Sequence, residues 1–301
     1  MKFLISGSHG LVGSALAASL GGDGHEVFSL VRHAPKSTKE IEWHPNRDSL
    51  PAKDLEGMDV VVHLAGESIA SGRWTDEKKQ AIRDSRIKST TLLAESLDKL
   101  NTPPATLINA SAIGYYGDRG DEILNEESTP GNDFLARVCV AWEEATEAAE
   151  RKNIRVVKAR FGVILSTEGG ALTKMLTPFR LGVGGKVGSG KQWMSWIALE
   201  DVIGGLRFVL DNRALSGPVN FVAPNPVTNA EFTKALGSAL SRPTIFSVPA
   251  FGARLAFGEM ADALLLASQR VKPEQLQQAG YEFKYSSIER ALHSALDKEQ
   301  R

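Results

Sequence analysis

Three glycines near the amino terminus have the spacing of a phosphate-binding loop. Gly7, Gly10 and Gly13 follow a short apolar run and open a segment whose apolar residues recur at helical spacing. Glycine permits a tight turn and a close approach of a pyrophosphate, and the helix N-terminus supplies amide donors and a favourable dipole. A second strand follows at about the expected separation of ~20 residues, which favours a dinucleotide site over an ordinary turn. The expected contacts are Gly7, Ser8, Gly10, Leu11, Val12 and Gly13.

The end of the second predicted strand, residues 26–31, indicates which dinucleotide binds. NAD sites usually have an acidic residue there, which accepts hydrogen bonds from the ribose 2′-hydroxyl. Here Val31 is followed by Arg32 and His33, with no carboxylate. A guanidinium suits a 2′-phosphate because it can donate two parallel hydrogen bonds. We therefore predict NADP(H) as the cofactor; the alternative is that Arg32 is a solvated residue at a strand end.

Strands and helices alternate along the chain in the order that a parallel sheet requires. Strand-like apolar runs lie at residues 2–5, 26–31, 59–64, 105–110 and 155–165, and helical spacing covers residues 76–100 and 133–151. Strands that alternate with helices imply βαβ units. The sequence therefore predicts an α/β fold with a parallel sheet that positions the glycine loop at its edge.

Composition excludes several classes of protein. The 301 residues are 42% hydrophobic and 24% charged, which is typical of a soluble globular protein and too apolar for disorder. A net charge of -1 gives no support to a nucleic-acid partner.

A lone cysteine, Cys139, cannot form an internal disulfide, and the first residues lack a signal peptide's apolar segment, so we expect a reducing, cytoplasmic location. The apolar stretch at residues 251–267 is too short and too charged to span a bilayer, and we expect no membrane partner.

Further motifs, taken in order, resemble one family. They are residues 63–67 (HLAGE), 85–87 (SRI), 111–117 (SAIGYYG), 160–165 (RFGVIL), 188–192 (GSGKQ), 195–197 (SWI) and 280–283 (GYEF). Together they resemble the epimerase-family proteins, an atypical subgroup of the extended short-chain dehydrogenases that carries its own C-terminal domain of unknown function. The resemblance covers almost the whole chain. The biological substrate of this family is not established, so its name describes a kinship of fold.

The resemblance implies a doubly wound, Rossmann-like NADP-binding domain with a smaller C-terminal substrate lobe. The domain would comprise residues 1–166 and 197–224, and the lobe residues 167–196 and 225–301. By matching position, the further cofactor contacts would be Val31, Arg32, Leu64, Ala65, Gly66, Arg86 and Ile164.

The catalytic positions depart from the usual short-chain dehydrogenase pattern. These enzymes use Tyr-x-x-x-Lys, in which the tyrosine transfers a proton and the lysine lowers its pKa. No tyrosine here has a lysine four residues later, and the two expected positions hold Leu135 and Cys139. The usual hydroxyl position holds Ala112, so the neighbouring Ser111 and Tyr116 are the candidate catalytic residues. The alternatives are structural: a strand-end hydroxyl bonded to the backbone for Ser111 and a packed aromatic for Tyr116.

The substrate positions argue against a nucleotide sugar. Extended members that bind such sugars tend to carry an arginine that pairs with the diphosphate, and the matching residue here is Met194. A thioether cannot replace a bidentate charged pair, unless Lys186 or Lys191 compensates from a loop that folds inward. Trp193 and Trp196 favour a small apolar or aromatic ligand, although core packing is the expected role of at least one of them.

Two classes of function remain open on these observations. One is an NADP(H)-dependent oxidoreductase or epimerase-like enzyme, and the other is a non-catalytic NADP(H)-binding or sensing protein; either would be a monomer or a homodimer. Residues 185–191 nearly spell a P-loop, but Gln192 stands where a Ser or Thr would bind magnesium, which favours a loop over the active site. The six histidines show no metal-ligand spacing.

Overall fold

The computed structural model describes residues 1–299 and forms a mixed α/β fold. The strands are β1 (Lys2–Ser6), β2 (Glu26–Val31), β3 (Glu40–Glu42), β4 (Val60–His63), β5 (Thr106–Ala112), β6 (Ile123–Leu124), β7 (Arg155–Phe161), β8 (Val163–Leu165), β9 (Gly185–Val187), β10 (Trp193–Met194), β11 (Trp196–Ala198), β12 (Gly217–Phe221), β13 (Val227–Thr228), β14 (Phe246–Val248) and β15 (Arg270–Val271). The α-helices are α1 (Leu11–Gly22), α2 (Asp76–Asp98), α3 (Phe134–Glu144), α4 (Glu147–Arg151), α5 (Gly170–Arg180), α6 (Leu199–Asp211), α7 (Asn229–Ala239), α8 (Ala250–Phe257), α9 (Glu259–Ala261), α10 (Glu274–Gln278) and α11 (Ile288–Glu299). A 3₁₀ turn, Ile113–Tyr116, follows β5 directly.

Seven strands form one parallel sheet in the order β12-β7-β5-β4-β1-β2-β3. From β1 the chain extends the sheet in one direction through β2 and β3, then returns to β4 on the other side of β1. The order therefore reverses between β1 and β4, and ligands of such sheets bind at the carboxyl ends of the strands beside this reversal. The predicted doubly wound, Rossmann-like parallel sheet is confirmed.

Helices cover both faces of the large sheet. Phe3 and Ile5 of β1 pack with Leu16 of α1 on one face, whereas Leu4 packs with Leu93 of α2 on the other. Because both faces are buried, β1 and β4 are apolar at consecutive positions rather than at alternate ones.

Both long helices predicted from the sequence begin after a capping residue, but the second helix is interrupted. The Thr75 hydroxyl accepts the Lys78 N–H at 3.2 Å and so begins α2. The helix predicted over residues 133–151 consists instead of α3 and α4. The Thr146 hydroxyl donates to the Glu143 carbonyl at 2.7 Å, and such a local bond competes with continuation of the helix.

The C-terminal part of the chain has an apolar core of its own. Its buried members include Leu165, Leu172, Leu176, Trp196, Phe232, Leu236, Tyr285 and Leu292. All strands of the large sheet lie within residues 1–166 and 197–224, although β11 crosses the predicted boundary at residue 196. The division into domain and lobe at these boundaries stays a prediction. Over residues 1–299, every helix is too short or too polar to traverse a bilayer.

Candidate functional site

The glycine loop between β1 and α1 depends on the absence of side chains. Gly7 has a φ of +68°, and a Cβ there would lie 2.9 Å from the Leu64 backbone. A Cβ on Gly13 would lie 2.2 Å from the Gly7 carbonyl oxygen. No real side chain tolerates such a contact, so these glycines let the loop fold against the strand end and the first turn of α1.

The N-terminus of α1 is open to an anion. Its N-cap is Gly10, which has no side chain to accept the first N–H groups, and the first turn contains no acidic residue. Uncapped N–H groups and the helix dipole favour a phosphate at this position. Together with the loop that a Cβ would block, this arrangement fits the pyrophosphate of a dinucleotide.

A chain of buried polar side chains supports the strand ends next to residues 7–13, the loop and first turn of α1 that we call the cradle. The Ser6 hydroxyl accepts the N–H groups of Leu64 (3.0 Å) and Ala65 (3.2 Å) and lies 2.5 Å from Nδ1 of His63. Because Ser6 already accepts two bonds, its proton goes to His63, whose Nε2 then donates to Ser89 at 3.0 Å. Burial lowers the pKa of His63 to about 3, so the ring stays neutral. Sequence reasoning missed this role, although a histidine at the end of a buried strand was the available signal.

Arg32 is exposed directly after β2, where the sequence predicted a partner for a 2′-phosphate. Strand register also places Glu42 of β3 beside Val31, so a carboxylate is close in space although none follows in the sequence. The Glu42 carboxylate is bonded to His44 at 2.8 Å. Arg32 is therefore an exposed cation at the end of β2, with the partly exposed Glu42 carboxylate on the neighbouring strand. Its contact with a cofactor stays a prediction.

The remaining predicted cofactor contacts gather around the same loop. Arg86 of α2 donates to the Glu67 carbonyl at 3.0 Å, and a Cβ on Gly66 would lie 3.4 Å from its guanidinium carbon. A Cβ on Gly170 would lie 3.3 Å from Leu11 and 3.8 Å from the Ile164 carbonyl oxygen. The first residue of α5 therefore packs against both β8 and the start of α1. The fold thus brings the expected residues to one edge of the sheet.

Tyr116, a candidate proton donor, is fully buried. Its hydroxyl donates to Oδ1 of Asn220 at 2.8 Å and accepts from Nη1 of Arg160 at 3.0 Å. Burial raises its pKa to about 12. A catalytic acid works best with a pKa near the working pH, so these contacts favour a structural role over the catalytic one.

Ser111 faces the same buried network. Its hydroxyl donates to Glu143 of α3 at 2.6 Å, and the two oxygens of that carboxylate each accept from Arg160 at 2.8 Å. Arg160 and Glu143 have only 3% and 9% of their side chains exposed. Ser111 of β5 is thus bonded to a buried ion pair between α3 and β7, and this contact favours a structural role. Its catalytic role stays a prediction.

The two positions of the missing proton relay lie beside the end of β5. A Cβ on Gly114 would lie 3.5 Å from Leu135 Cβ and 3.8 Å from the Cys139 sulfur. Burial raises the pKa of the Cys139 thiol to about 12, so it is not a thiolate at neutral pH. An apolar side chain and a neutral thiol therefore occupy these positions.

Known proteins match almost the entire chain. The NAD dependent epimerase/dehydratase family matches residues 3–222, and a domain of unknown function, DUF1731, matches residues 248–295. This chain belongs to the NAD-dependent epimerase/dehydratase family. An epimerase family protein of Mycobacterium bovis is 46% identical over 288 residues, covering 96% of this chain and 95% of the relative. One from Bacillus subtilis is 38% identical over 297 residues, covering 97% of each. The family resemblance indicated by the motifs is confirmed.

Solved structures agree with this family membership. The crystal structure of the human epimerase family protein SDR39U1 (isoform 2) with NADPH has a TM-score of 0.89 at 32% identity and covers 99% of both chains. A nucleoside-diphosphate sugar epimerase from Corynebacterium glutamicum has a TM-score of 0.81 at 43% identity, covering 98% of this chain and 58% of that one. A UDP-N-acetylglucosamine 4-epimerase from Bacillus cereus, with a TM-score of 0.75 at 17% identity, shares the fold.

For one of the two tryptophans near Met194, the structure agrees with the core-packing interpretation. Trp196 is fully buried in the lobe core and donates to the Asn225 carbonyl at 3.0 Å, so it is a core residue and cannot line a ligand. Trp193 is half-buried and donates to Asp121 at 2.8 Å. Residues 185–191 form β9 and a turn that leads to another strand, whereas a P-loop leads into a helix. Within residues 1–299, no group of three or more His, Cys, Asp or Glu side chains is placed to hold a metal ion.

Proposed function

We propose that this epimerase-family protein binds NADP(H) at the ends of β1, β2 and β4 and uses it in an oxidoreductase or epimerase-like reaction. The observation that carries the proposal is the exposed Arg32 directly after β2, on the strand next to β1, which leads into the open N-terminus of α1. The neighbouring Glu42 carboxylate is bonded to His44. The human relative whose structure contains NADPH supports the same cofactor, at 32% identity over almost the full chain.

In this proposal, different residues hold different parts of the cofactor. The uncapped first turn of α1 binds the pyrophosphate, Arg32 pairs with the 2′-phosphate, and the Ser6 and His63 chain holds the Leu64 and Ala65 backbone in place. Bound NADP(H) would supply or accept a hydride at its nicotinamide ring. The end of β5, around Ala112 and Gly114, is then the place where a substrate would meet it.

We infer a small substrate rather than a nucleotide sugar. Met194 stands at the position of the diphosphate-binding arginine and packs against the lobe core. Calorimetric titration of UDP-glucose into the NADPH-loaded protein should give no micromolar binding. Micromolar binding that Lys191→Ala abolishes would show that the loop supplies the missing charge and would overturn this inference.

A second candidate, a non-catalytic NADP(H)-binding or sensing protein, is favoured by the proton-transfer positions. Leu135 and the neutral Cys139 lie beside Gly114, and the Tyr116 hydroxyl is fully bonded within the core. NADPH oxidation against a library of small carbonyl compounds separates the two candidates. Turnover on any of them supports the enzyme, and its absence from all of them with tight NADPH binding supports the sensor.

Fluorescence titration with NADPH and NADH tests the cofactor. We expect NADPH to bind more tightly, and Arg32→Ala to weaken NADPH about tenfold or more, because a charged hydrogen bond contributes roughly 1.5–3 kcal/mol. NADH affinity should not change in this variant. The matched control is Glu42→Gln, which removes the neighbouring carboxylate and should leave NADPH binding intact. Equal affinities of the wild type for NADPH and NADH would refute the assignment. So would a Glu42→Gln variant that loses NADH binding while Arg32→Ala keeps normal NADPH binding.

A further inference from the structure

Exposed apolar side chains concentrate at one edge of the C-terminal lobe. Of the eleven large apolar residues that are exposed within residues 1–299, nine lie in residues 180–191 and 242–266, which we call the lobe edge. The most exposed are Ile245 (81%), Leu255 (76%), Phe251 (73%) and Leu181 (73%). A monomeric surface rarely gathers large apolar residues in this way unless something covers them.

The segments of the lobe edge are adjacent in space. Strands β9 and β14 pair in parallel, and Nε of Arg242 donates to the Arg180 carbonyl at 2.9 Å. A Cβ on Gly188 would lie 3.0 Å from Leu266 and 3.9 Å from Ala250, at the start of α8. The exposed apolar residues therefore belong to one region of the surface, although they are spread over the sequence.

Positive charge accompanies these apolar residues. The lobe edge contains five basic residues and two acidic ones, Glu259 and Asp262. Asp262 pairs with Arg254, and Glu259 pairs with Lys79. Among the described residues, no carboxylate lies within ion-pair distance of Lys186, Lys191 or Arg242. This unbalanced charge fits an anionic partner.

We propose that the lobe edge docks on an anionic membrane surface, with its apolar side chains inserted among the lipid headgroups. An apolar surface fringed by basic residues is the pattern of interfacial membrane binding. Consecutive side chains of a strand point to opposite faces, and all three residues of β14, Phe246–Val248, are exposed. A folded partner would cover one face of this narrow ribbon, whereas headgroups surround both.

A second copy of the chain fits this surface less well. In a two-fold symmetric dimer the same patch faces itself, so the unpaired cations of the two copies would oppose one another. The sequence expectation of no membrane partner rested on the lack of a spanning segment. Surface docking requires only the insertion of side chains.

Docking would also bring the proposed cofactor site close to the lipid. Arg73, in the loop between β4 and α2 that contains Gly66, donates to the Leu255 and Ala256 carbonyls of α8. The lobe edge is therefore tied to the segment that bounds the cofactor cradle. If the proposed function holds, an apolar substrate would have a short path from the headgroup region to the cofactor site.

Cosedimentation of the full chain with phosphatidylcholine vesicles, with and without phosphatidylglycerol, tests the proposal. We expect binding to the anionic vesicles only, weakened by salt. The variant Lys186→Gln/Lys191→Gln/Arg242→Gln should bind about a hundredfold more weakly, since each cation near such a surface contributes about fivefold. Phe251→Ser/Leu255→Ser should weaken binding roughly tenfold or more per inserted side chain.

Matched controls carry equivalent changes outside the lobe edge. Ile123→Ser replaces an exposed apolar residue, and Lys53→Gln/Lys99→Gln/Arg213→Gln removes three exposed cations. Both should bind vesicles like the wild type, and all variants should retain NADPH affinity and melting temperature, which separates this proposal from the cofactor assignment. Absence of vesicle binding, or equal binding by lobe-edge and control variants, would overturn it. So would a dimer in analytical ultracentrifugation that Phe251→Ser/Leu255→Ser dissociates, because the occupant would then be a second copy.

Discussion

Replacing Tyr116 with phenylalanine removes one hydroxyl from the buried network and leaves the ring in place. The Asn220 amide oxygen loses its donor at 2.8 Å, and Nη1 of Arg160 loses its acceptor at 3.0 Å. Arg160 keeps only a weaker contact from that nitrogen, to the Glu126 carbonyl at 3.4 Å. Since water does not reach these groups, the variant should be less stable whatever its activity.

The size of the effect follows from the two groups left without a partner. An unsatisfied buried polar group costs about 1–3 kcal/mol, and with the remaining contact of Arg160 we expect a loss of about 2–4 kcal/mol. A chain of this length has an entropy of unfolding of roughly 0.6 kcal/mol/K, so the melting temperature should fall by about 3–6 °C.

Thermal unfolding of Tyr116→Phe and Tyr115→Phe, with NADPH titration of both, measures this effect. The half-buried Tyr115 contacts the Arg160 guanidinium with its ring, 3.5 Å from the centroid, which phenylalanine preserves. The control should therefore stay within about 0.5 kcal/mol of the wild type. An unchanged melting temperature in Tyr116→Phe, with turnover reduced about a hundredfold or more, would refute the structural reasoning and restore Tyr116 as a catalytic acid.

The remaining predictions concern the cradle and the network. Gly13→Ala should weaken NADPH binding at least about tenfold, because its Cβ would lie 2.2 Å from the Gly7 carbonyl, whereas Gly21→Ala, whose Cβ meets nothing within 4 Å, should not. Folded His63 stays neutral down to about pH 3, but the unfolded chain binds a proton below about pH 6.5. Stability should therefore be complete above about pH 6.5 and fall by up to about 1.4 kcal/mol per unit as the pH decreases towards 3, with a shallower slope in His63→Gln. Glu143→Gln should cost about 3–5 kcal/mol in chemical denaturation and Ser111→Ala only about 1 kcal/mol, because the ion pair survives in the latter.

Each of these predictions has an outcome that contradicts it. Normal NADPH affinity in Gly13→Ala would mean that the loop does not contact the cofactor. Equal pH slopes in wild type and His63→Gln would show that His63 titrates normally in the folded chain. A larger loss of stability in Ser111→Ala than in Glu143→Gln would place the hydroxyl, rather than the ion pair, at the centre of the network.

Much of the fold could be predicted from local patterns. The glycine spacing after an apolar strand predicted the tight loop between β1 and α1, because only glycine lacks the Cβ that such a loop excludes. Alternating strands and helices predicted the parallel sheet, since the periods of 2 and 3.6 are local properties of the backbone. The interruption between α3 and α4 was missed, because Thr146 fits a helical pattern until its hydroxyl takes a backbone carbonyl.

What the sequence alone determined is therefore the type of each element and the family to which they add up. Only the tertiary structure decided which neighbours the polar side chains meet. Glu42 lies beside Val31 through strand register, and the Arg160 side chain reaches Tyr116, 44 residues earlier, because β7 pairs with β5. Side-chain alternation along a strand leaves the choice of face and partner open, because both depend on strand order and register, which residues distant in the sequence fix together.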